Sequence, residues 1–327
     1  MTNYKGLKMK SVFCTKYGSP KVLQVKEVNK PVPKPNEVLV KVYAASVTAA
    51  DTMIRKGSPY FGRLFLGLLK PKNPVPGTGF SGEIEAIGEN VKQFIEGDQV
   101  FGEIVLSVGT NAEYVCIPAD GLIAKKPENI SHHEAAPVCD GALTSINFLK
   151  ELAKIEKGQK VLIIGASGSL GTTAVQLAKY FGAEVTGVCS AANIGLVKSI
   201  GADRVIDYTQ DDFTKSDQTY DIVYDTVGKS SFSNCKNILT KNGTYISPVL
   251  DIPLLFQMLT SSKNGKKAQF DATGLKSIPE LKVLLAELLP LLETRKLTTV
   301  IDKTYVLEEI AEAHQYIDSG LLFRYNE

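Results

Sequence analysis

The feature that most constrains the fold is a glycine-rich turn between an apolar segment and a helical pattern. Residues 161–171 have the sequence VLIIGASGSLG. A strand that enters such a turn and continues as a helix forms a diphosphate site, because the helix N–H groups and dipole hold negative charge. The glycines allow the sharp bend, the close approach of the diphosphate and the packing of helix on strand. The predicted cofactor-binding residues here are Gly165, Ser167, Gly168, Ser169, Leu170 and Gly171.

The surrounding sequence supports this interpretation, whereas a glycine pattern alone could be a plain strand–helix turn. Strands are predicted at 160–164, 184–189, 204–207, 221–225 and 244–247, and helices at 170–181 and 194–200. Alternating strands and helices are typical of a doubly wound parallel sheet, which is the Rossmann architecture of α/β proteins.

The end of the second predicted strand indicates which nucleotide binds. An acidic residue there would bind the ribose 2′-hydroxyl and favour NAD. Residues 188–193 are VCSAAN, with no acid. Ser190 and Asn193 can donate hydrogen bonds to a 2′-phosphate, which predicts NADPH. The alternative is that both are ordinary polar residues of a loop.

Segments on either side of this unit have a different texture. Strands are predicted at 22–28, 37–43, 81–88 and 99–105, as in a compact β domain. Ser131 and Glu134 form a capping-box pattern. Helices are predicted at 279–295 and 307–319, with a strand at 299–305 and a mobile loop or dimer contact at 250–260. The predicted domains are 129–272, which binds NADPH, and 1–128 with 273–327.

Composition narrows the classes of partner. The 327 residues carry a net charge of +2, which gives no electrostatic reason to expect nucleic acid or an anionic membrane. No segment approaches the ~20 apolar residues of a membrane span. The five cysteines have no disulfide or metal-knuckle spacing. Together with the absence of a signal-peptide pattern, these features predict a cytoplasmic protein.

The whole chain resembles the zinc-independent quinone oxidoreductase branch of the medium-chain dehydrogenase/reductase superfamily. The matching motifs are YGSP from Tyr17, PGTGFSG from Pro76, GDQVFG from Gly97, AEYV from Ala112, GASGSLG from Gly165, GAD from Gly201, IDY from Ile206, YDIVYDTVG from Tyr220 and AEAH from Ala311. The resemblance implies a GroES-like β-barrel catalytic domain, a Rossmann domain, an active site between them and a homodimer.

The same resemblance shows where zinc would bind in a zinc alcohol dehydrogenase. Its catalytic ligands would fall near Thr48, Thr78 and Asp140, two of which are hydroxyls and therefore poor zinc ligands. The lobe of four cysteines expected after Asp98 is absent. We therefore expect no metal, and hydride delivery from NADPH to a small hydrophobic quinone or α,β-unsaturated carbonyl.

Family positions suggest further site residues. Thr48, where the family usually has Asn, is a candidate hydrogen-bond donor in catalysis, or else a buried hydroxyl with a structural role. Tyr60 is a candidate proton donor or an aromatic pocket wall. The resemblance places the following residues at the cofactor: Thr144, Tyr208, Val227, Gly228, Ser247 and Pro248.

Three expectations concern the remainder of the chain. The histidines, His132, His133 and His314, are expected to be helix residues without a metal or triad role. The sequence after Ser319 departs from the family, which predicts a missing or replaced final strand. Two alternative functions stay open: a 2-enoyl thioester reductase, or a non-catalytic NADPH-binding sensor or scaffold.

Overall fold

The computed structural model describes residues 6–58, 60–104, 109–261 and 265–320. These residues form two compact units. The first consists of the described residues up to Asp140 together with those from Ile301 onward, and the second consists of those between Gly141 and Val300.

The described residues contain the following strands and α-helices, which alternate mainly in the second unit. The strands are β1 (Lys8–Cys14), β2 (Leu23–Asn29), β3 (Glu37–Ala45), β4 (Gly79–Ile87), β5 (Gln99–Glu103), β6 (Tyr114–Pro118), β7 (Leu122–Lys125), β8 (Lys160–Ile164), β9 (Glu184–Cys189), β10 (Arg204–Asp207), β11 (Tyr220–Asp225), β12 (Leu239–Ser247) and β13 (Lys267–Phe270). The α-helices are α1 (Ala49–Lys56), α2 (Arg63–Leu66), α3 (His132–Ala135), α4 (Thr144–Ile146), α5 (Ser169–Tyr180), α6 (Ile194–Ser199), α7 (Phe232–Cys235), α8 (Ile252–Thr260), α9 (Ile278–Glu293) and α10 (Ile310–Asp318).

The first unit is built on a curled antiparallel sheet, which confirms the predicted GroES-like domain. Its five strands lie in the order β6-β3-β4-β5-β7, and β1 pairs with β2 in a separate antiparallel ribbon. Alternate residues of the sheet face one core, including Val38, Val40, Phe80, Ile84 and Val100. The period of two in these strands produces this one-sided core. Strands β1, β6 and β7 were not predicted from the sequence.

A buried cation joins α1 to α10 within this unit. The Arg55 side chain is fully buried, and its guanidinium contacts the Asp318 carboxylate and the Gly18 carbonyl. Its Nε also donates to His314 Nδ1 over 3.3 Å. Burial and the Arg55 charge lower the pKa of His314 to about 4, so this imidazole is neutral at physiological pH. The cluster holds α1, whose N-terminus carries Thr48, against the C-terminal helix.

The second unit is the predicted doubly wound sheet. Six parallel strands lie in the order β10-β9-β8-β11-β12-β13. From β8 the chain adds β9 and β10 on one side of the sheet and then β11 to β13 on the other, so the strand order reverses between β8 and β11. Strands β8, β9 and β10 have the predicted bounds, because short runs of β-branched residues between turns specify buried parallel strands. In an open sheet of this kind, ligands bind beyond the carboxyl ends of the strands at the reversal point.

The compact units divide the chain differently from the predicted domains. Residues 129–140 group with the first unit and residues 273–300 with the second. The second grouping follows from contacts of α9, since Lys150 Nζ lies 2.6 Å from Glu287 Oε2. The Gln176 amide also donates to the Thr298 carbonyl over 2.9 Å.

Two predicted segments differ from the structure and one lies outside it. The predicted strand at 299–305 is wrong: these residues are in no strand, and just before them the Thr298 N–H donates to the Gln176 side chain, 2.9 Å away, instead of to a neighbouring strand. Residues 250–260, predicted as a mobile loop or a dimer contact, are not a loop: they contain α8, which Asp251 caps. The predicted change of the C-terminal strand concerns 321–327, outside the described residues. None of the described helices has the length and apolar character to cross a membrane.

Candidate functional site

The glycine turn has the geometry that its sequence predicts. Gly165 follows β8 with φ of 78°, a conformation that L side chains rarely adopt. Its N–H and that of Ala166 both donate to the Val188 carbonyl over 3.0 Å, which ties the turn to β9. A Cβ on Gly171 would lie 2.0 Å from the Gly165 carbonyl oxygen. The helix and the turn can therefore approach this closely only with glycine at that position.

Helix α5 starts at the turn with its first N–H groups directed toward the turn. Gly168 is the N-cap and provides no side-chain cap. The first intrahelical bond runs from Thr172 N to the Gly168 carbonyl over 2.8 Å, so the N–H groups of Ser169, Leu170 and Gly171 precede it. Such a helix start attracts an anion. All six residues predicted from the glycine motif thus lie in one turn.

Thr144 lies beside this helix start. Residues 139–152 form a helical segment with π-helical turns on both sides of α4. The Ser145 hydroxyl donates to the Leu170 carbonyl over 3.0 Å, and the Thr173 hydroxyl donates to the Gly141 carbonyl over 3.1 Å. These bonds hold Thr144, which is half-buried, next to the glycine turn.

The residues after β9 form a small hydrogen-bonded network with the glycine turn. Asn193 is 4% exposed, and its Nδ2 donates to Ser167 Oγ over 3.0 Å and to Ser190 Oγ over 3.3 Å. The network brings together three of the predicted cofactor residues from two separate segments. No sequence pattern had indicated that Ser167 contacts Asn193.

Tyr208 follows the adjacent strand, β10. Its N–H donates to the Cys189 carbonyl over 3.1 Å, which places it at the carboxyl end of β9, and its ring is 59% exposed. The preceding carboxylate, Asp207, accepts from the Thr209 N–H and hydroxyl over 3.0 and 2.8 Å. The Asp207 carboxylate therefore stabilises its own turn by accepting both hydrogen bonds from Thr209.

A buried carboxylate that the sequence analysis missed organises the next strand end. Asp225, the last residue of β11, accepts from the N–H groups of Gly228 and Ser230 over 2.8 Å each, and from the Tyr245 hydroxyl over 3.0 Å. This cage determines the course of the loop that carries Val227 and Gly228. The sequence signal was an acid at the end of strand β11, whose centre is apolar.

The remaining predicted cofactor residues lie at neighbouring strand ends. The Val227 side chain lies 2.7 Å from the position that a Cβ on Gly165 would take, so it covers the turn. Ser247 ends β12, and its hydroxyl accepts from the Val249 N–H over 3.2 Å, with half-buried Pro248 between them. The residues predicted for the second unit therefore gather at one edge of its sheet.

In the first unit, Thr48 lies among buried carboxyls. It is the N-cap of α1, and its hydroxyl donates to Asp51 Oδ2 over 3.1 Å while Asp51 Oδ2 accepts from the Thr48 N–H over 2.8 Å. This capping box anchors the start of α1. Burial raises the pKa of Asp51 to about 6, although the Thr48 bonds oppose the rise.

Two further carboxyls belong to this group. Burial and the Asp51 charge raise the pKa of Asp140 to about 7, while a hydrogen bond with Thr48 lowers it. Burial, and then the charges of Asp140 and Asp51, raise the pKa of Glu103 to about 8. Protons are therefore held here near neutral pH. Glu103 was not predicted, because its proximity to Asp140 exists only in the folded barrel.

Tyr60 has a different environment. Its side chain is 80% exposed, and the Arg63 guanidinium carbon lies 4.7 Å from the ring centroid. The side chains of Phe61 and Phe65, which follow it, lie outside the described residues. No described contact thus joins Tyr60 to Thr48 or to the buried carboxyls near it.

Known proteins resemble this chain along nearly its whole length. Residues 34–128 match the alcohol dehydrogenase GroES-like domain, and residues 200–321 match the zinc-binding dehydrogenase family. A 2-methylene-furan-3-one reductase of Solanum lycopersicum is 31% identical, over 95% of this chain and 76% of that protein. A quinone oxidoreductase of Sus scrofa is 31% identical, over 94% of both chains.

A solved structure agrees with these matches. The quinone oxidoreductase from Coxiella burnetii superposes with a TM-score of 0.84 and 30% identity, covering 96% of both chains. The chain belongs to the quinone oxidoreductase branch of the medium-chain dehydrogenase/reductase superfamily. Members of this branch carry out oxidoreduction with a nicotinamide cofactor, so the chain is an NAD(P)H-dependent oxidoreductase. The glycine turn and the strand ends described above fit such a cofactor.

The superfamily also includes zinc enzymes, so the side chains at the positions of their zinc ligands need to be compared with what zinc requires. The positions predicted for catalytic zinc hold the hydroxyls of Thr48 and Thr78 and one carboxyl, Asp140, and hydroxyls are poor zinc ligands. Within the described ranges, no three His, Cys, Asp or Glu side chains are grouped so that they could hold a metal ion. This donor set does not fit catalytic zinc.

The histidines have the predicted helical positions. His132 and His133 lie in α3 and His314 lies in α10. His132 Nδ1 lies 2.8 Å from Ser81 Oγ, and His314 contacts Arg55. Both bonds join elements of the first unit, which is a structural role.

Proposed function

We propose that this oxidoreductase uses NADPH to reduce a small hydrophobic quinone or α,β-unsaturated carbonyl compound without zinc. The observation that carries the proposal is the glycine turn with its unblocked helix start, together with the acid-free end of β9. The related proteins named above act on a quinone and on a furanone. Both substrates are electron-poor acceptors, so the proposal assigns the same chemical class to this chain.

The preference for NADPH rests on charge and hydrogen-bond chemistry. A carboxylate at the end of β9 would repel a 2′-phosphate, and Ser190 occupies the place where NAD enzymes have one. The nearby Asp207 carboxylate already accepts two hydrogen bonds in its own turn. Serine hydroxyls can donate to the phosphate, and the α5 N-terminus can hold the diphosphate.

The chemistry proposed for the first unit concerns protons. When bound, the nicotinamide supplies a hydride, and the reduced acceptor then needs a proton. Thr48 has one hydroxyl proton and hydrogen-bonds with both Asp51 and Asp140. Since these carboxyls titrate near neutral pH, Thr48 can accept a proton from one and donate its own to the other. Thr48 is thus a candidate for moving a proton, and Tyr60 remains a second candidate donor.

We also propose that the chain forms a homodimer through the second unit. Helix α8 exposes four large apolar side chains, Ile252, Leu255, Phe256 and Leu259. In the described part of the sheet, β13 is the outermost strand and has a neighbour on one side only. An apolar helix face next to an open strand edge favours association with a second copy.

The test of the function is nucleotide binding followed by turnover. We expect NADPH to bind at least about 10-fold more tightly than NADH, because two charge-assisted hydrogen bonds contribute more than 1 kcal/mol. Addition of 9,10-phenanthrenequinone should then oxidise NADPH at a rate that EDTA leaves unchanged. NADPH fluorescence measures both steps.

Each result has a distinct meaning. Tighter binding of NADH would contradict the cofactor assignment, and a rate abolished by EDTA and restored by zinc would contradict metal independence. Binding of NADPH without oxidation by any of several quinones and enones would favour the sensor or scaffold alternative.

A further inference from the structure

The network around Asn193 determines which of its members can contact a ligand. Both hydrogens of the Asn193 amide are committed, one to Ser167 Oγ and one to Ser190 Oγ. The only other polar atom of this side chain, the amide oxygen, is an acceptor and cannot bind a phosphate. With both amide hydrogens used in this way, Asn193 has no side-chain donor to offer an anion in this arrangement.

The two serines have the opposite character. A hydroxyl has one proton to donate and two lone pairs to accept. Because each serine oxygen accepts from Asn193, its own proton is directed elsewhere. In the described part of the chain, neither hydroxyl donates to a protein acceptor. Both therefore keep a donor available at the junction of the glycine turn and β9.

This pattern discriminates between the two nucleotides. A 2′-phosphate has only acceptor oxygens and matches two available donors, whereas a ribose 2′-hydroxyl both donates and accepts. Each serine oxygen keeps one lone pair and could still accept from a ribose hydroxyl, but only the anionic phosphate offers both serine protons a charge-assisted hydrogen bond. The two directed donors therefore favour the phosphate.

We propose that Asn193 is a positioning residue for cofactor selection: by donating to both serine oxygens, it aims the Ser167 and Ser190 hydroxyl protons at the 2′-phosphate of NADPH. The inference rests on the proposed use of NADPH. It assigns the direct contacts to the two serines and an indirect role to the asparagine. It also includes Ser167, a residue of the glycine turn, in nucleotide selection.

A double-mutant cycle tests this coupling through the ratio of the NADH and NADPH dissociation constants, measured by fluorescence titration without any acceptor. We expect Asn193→Ala to lower the ratio by about 10-fold, and the pair Ser167→Ala with Ser190→Ala to lower it by about the same or more. Adding Asn193→Ala to the serine pair should change the ratio by less than about 2-fold. A general loss of structure would weaken the binding of both nucleotides alike and leave the ratio of their dissociation constants unchanged.

The outcomes are separable. A wild-type ratio near 1 would contradict both the NADPH proposal and this inference. A wild-type preference for NADPH that Asn193→Ala leaves intact would overturn only the inference, as would a further 10-fold loss from Asn193→Ala in the serine-free background. If Asn193→Ala does not fold, the two serine variants still decide, because retention of the NADPH preference without both hydroxyls would overturn the inference.

Discussion

Glu103→Gln is expected to stabilise the protein by about 2–4 kcal/mol near pH 8.5 and to have little effect near pH 4. Burial raises the pKa of this carboxyl from 4.5 to about 8, and the charges of Asp140 and Asp51 add to the rise. A raised carboxyl pKa favours the folded state while the group is protonated in both states, below 4.5. That contribution is lost as the pH rises toward 8, because the unfolded chain ionises first. The glutamine side chain is uncharged at every pH, so the variant does not lose this stability as the pH rises.

Urea denaturation at both pH values measures this effect. The matched control is Glu89→Gln, which removes an exposed glutamate from the same unit and should change stability by less than about 0.5 kcal/mol at either pH. Equal effects of Glu103→Gln at the two pH values would contradict the proposed burial of a proton at this carboxyl.

Gly171→Ala is expected to destabilise the second unit by about 3 kcal/mol or more and to weaken NADPH binding by at least about 10-fold. The added Cβ would lie 2.0 Å from the Gly165 carbonyl oxygen and 2.7 Å from the Ala166 Cα. Both are backbone atoms of the turn, so the turn or the helix must shift. The residues that move would be those predicted to hold the diphosphate.

Gly195→Ala provides the matched control. Gly195 also lies in the first turn of a helix, α6, but a Cβ there would meet nothing within 4 Å. Because alanine is the better helix former, this change should be neutral or stabilising by up to about 1 kcal/mol. Thermal unfolding and NADPH titration of the two variants measure the difference. Similar behaviour of both would show that the close contact at Gly171 does not matter.

The features that the sequence predicts well are formed by residues close together along the chain. The turn from Gly165 to Gly171 follows from a short strand, glycine spacing and a helix pattern, all within about a dozen residues. The bounds of β8 to β10 follow from apolar runs between turn residues. The family resemblance then added distant positions such as Thr144 and Ser247, which the structure places at the same sheet and helix ends.

What the sequence did not predict depends on contacts between distant segments. Asp225 is an unremarkable strand residue until the loop after it folds back onto its carboxylate. Glu103 acquires its raised pKa only when folding buries it and brings Asp140 and Asp51 near it. The segment 299–305 has strand-like composition, but Thr298 pairs with the Gln176 side chain just before it. Periodicity contains no information about any of these partners.

Direct hydride transfer from NADPH to an electron-poor acceptor can be tested by following a deuterium label from the nicotinamide ring into the product. NADPH deuterated at the transferable positions of the nicotinamide ring is incubated with the protein and a panel of aliphatic and cyclic enones, and the products are analysed by mass spectrometry. We expect a saturated ketone with one deuterium at the former β-carbon, the same yield in EDTA, and a lower yield with Gly171→Ala at an equal, subsaturating nucleotide concentration. A reduced product without deuterium would contradict direct hydride delivery, and so would an unreacted panel with saturating NADPH bound.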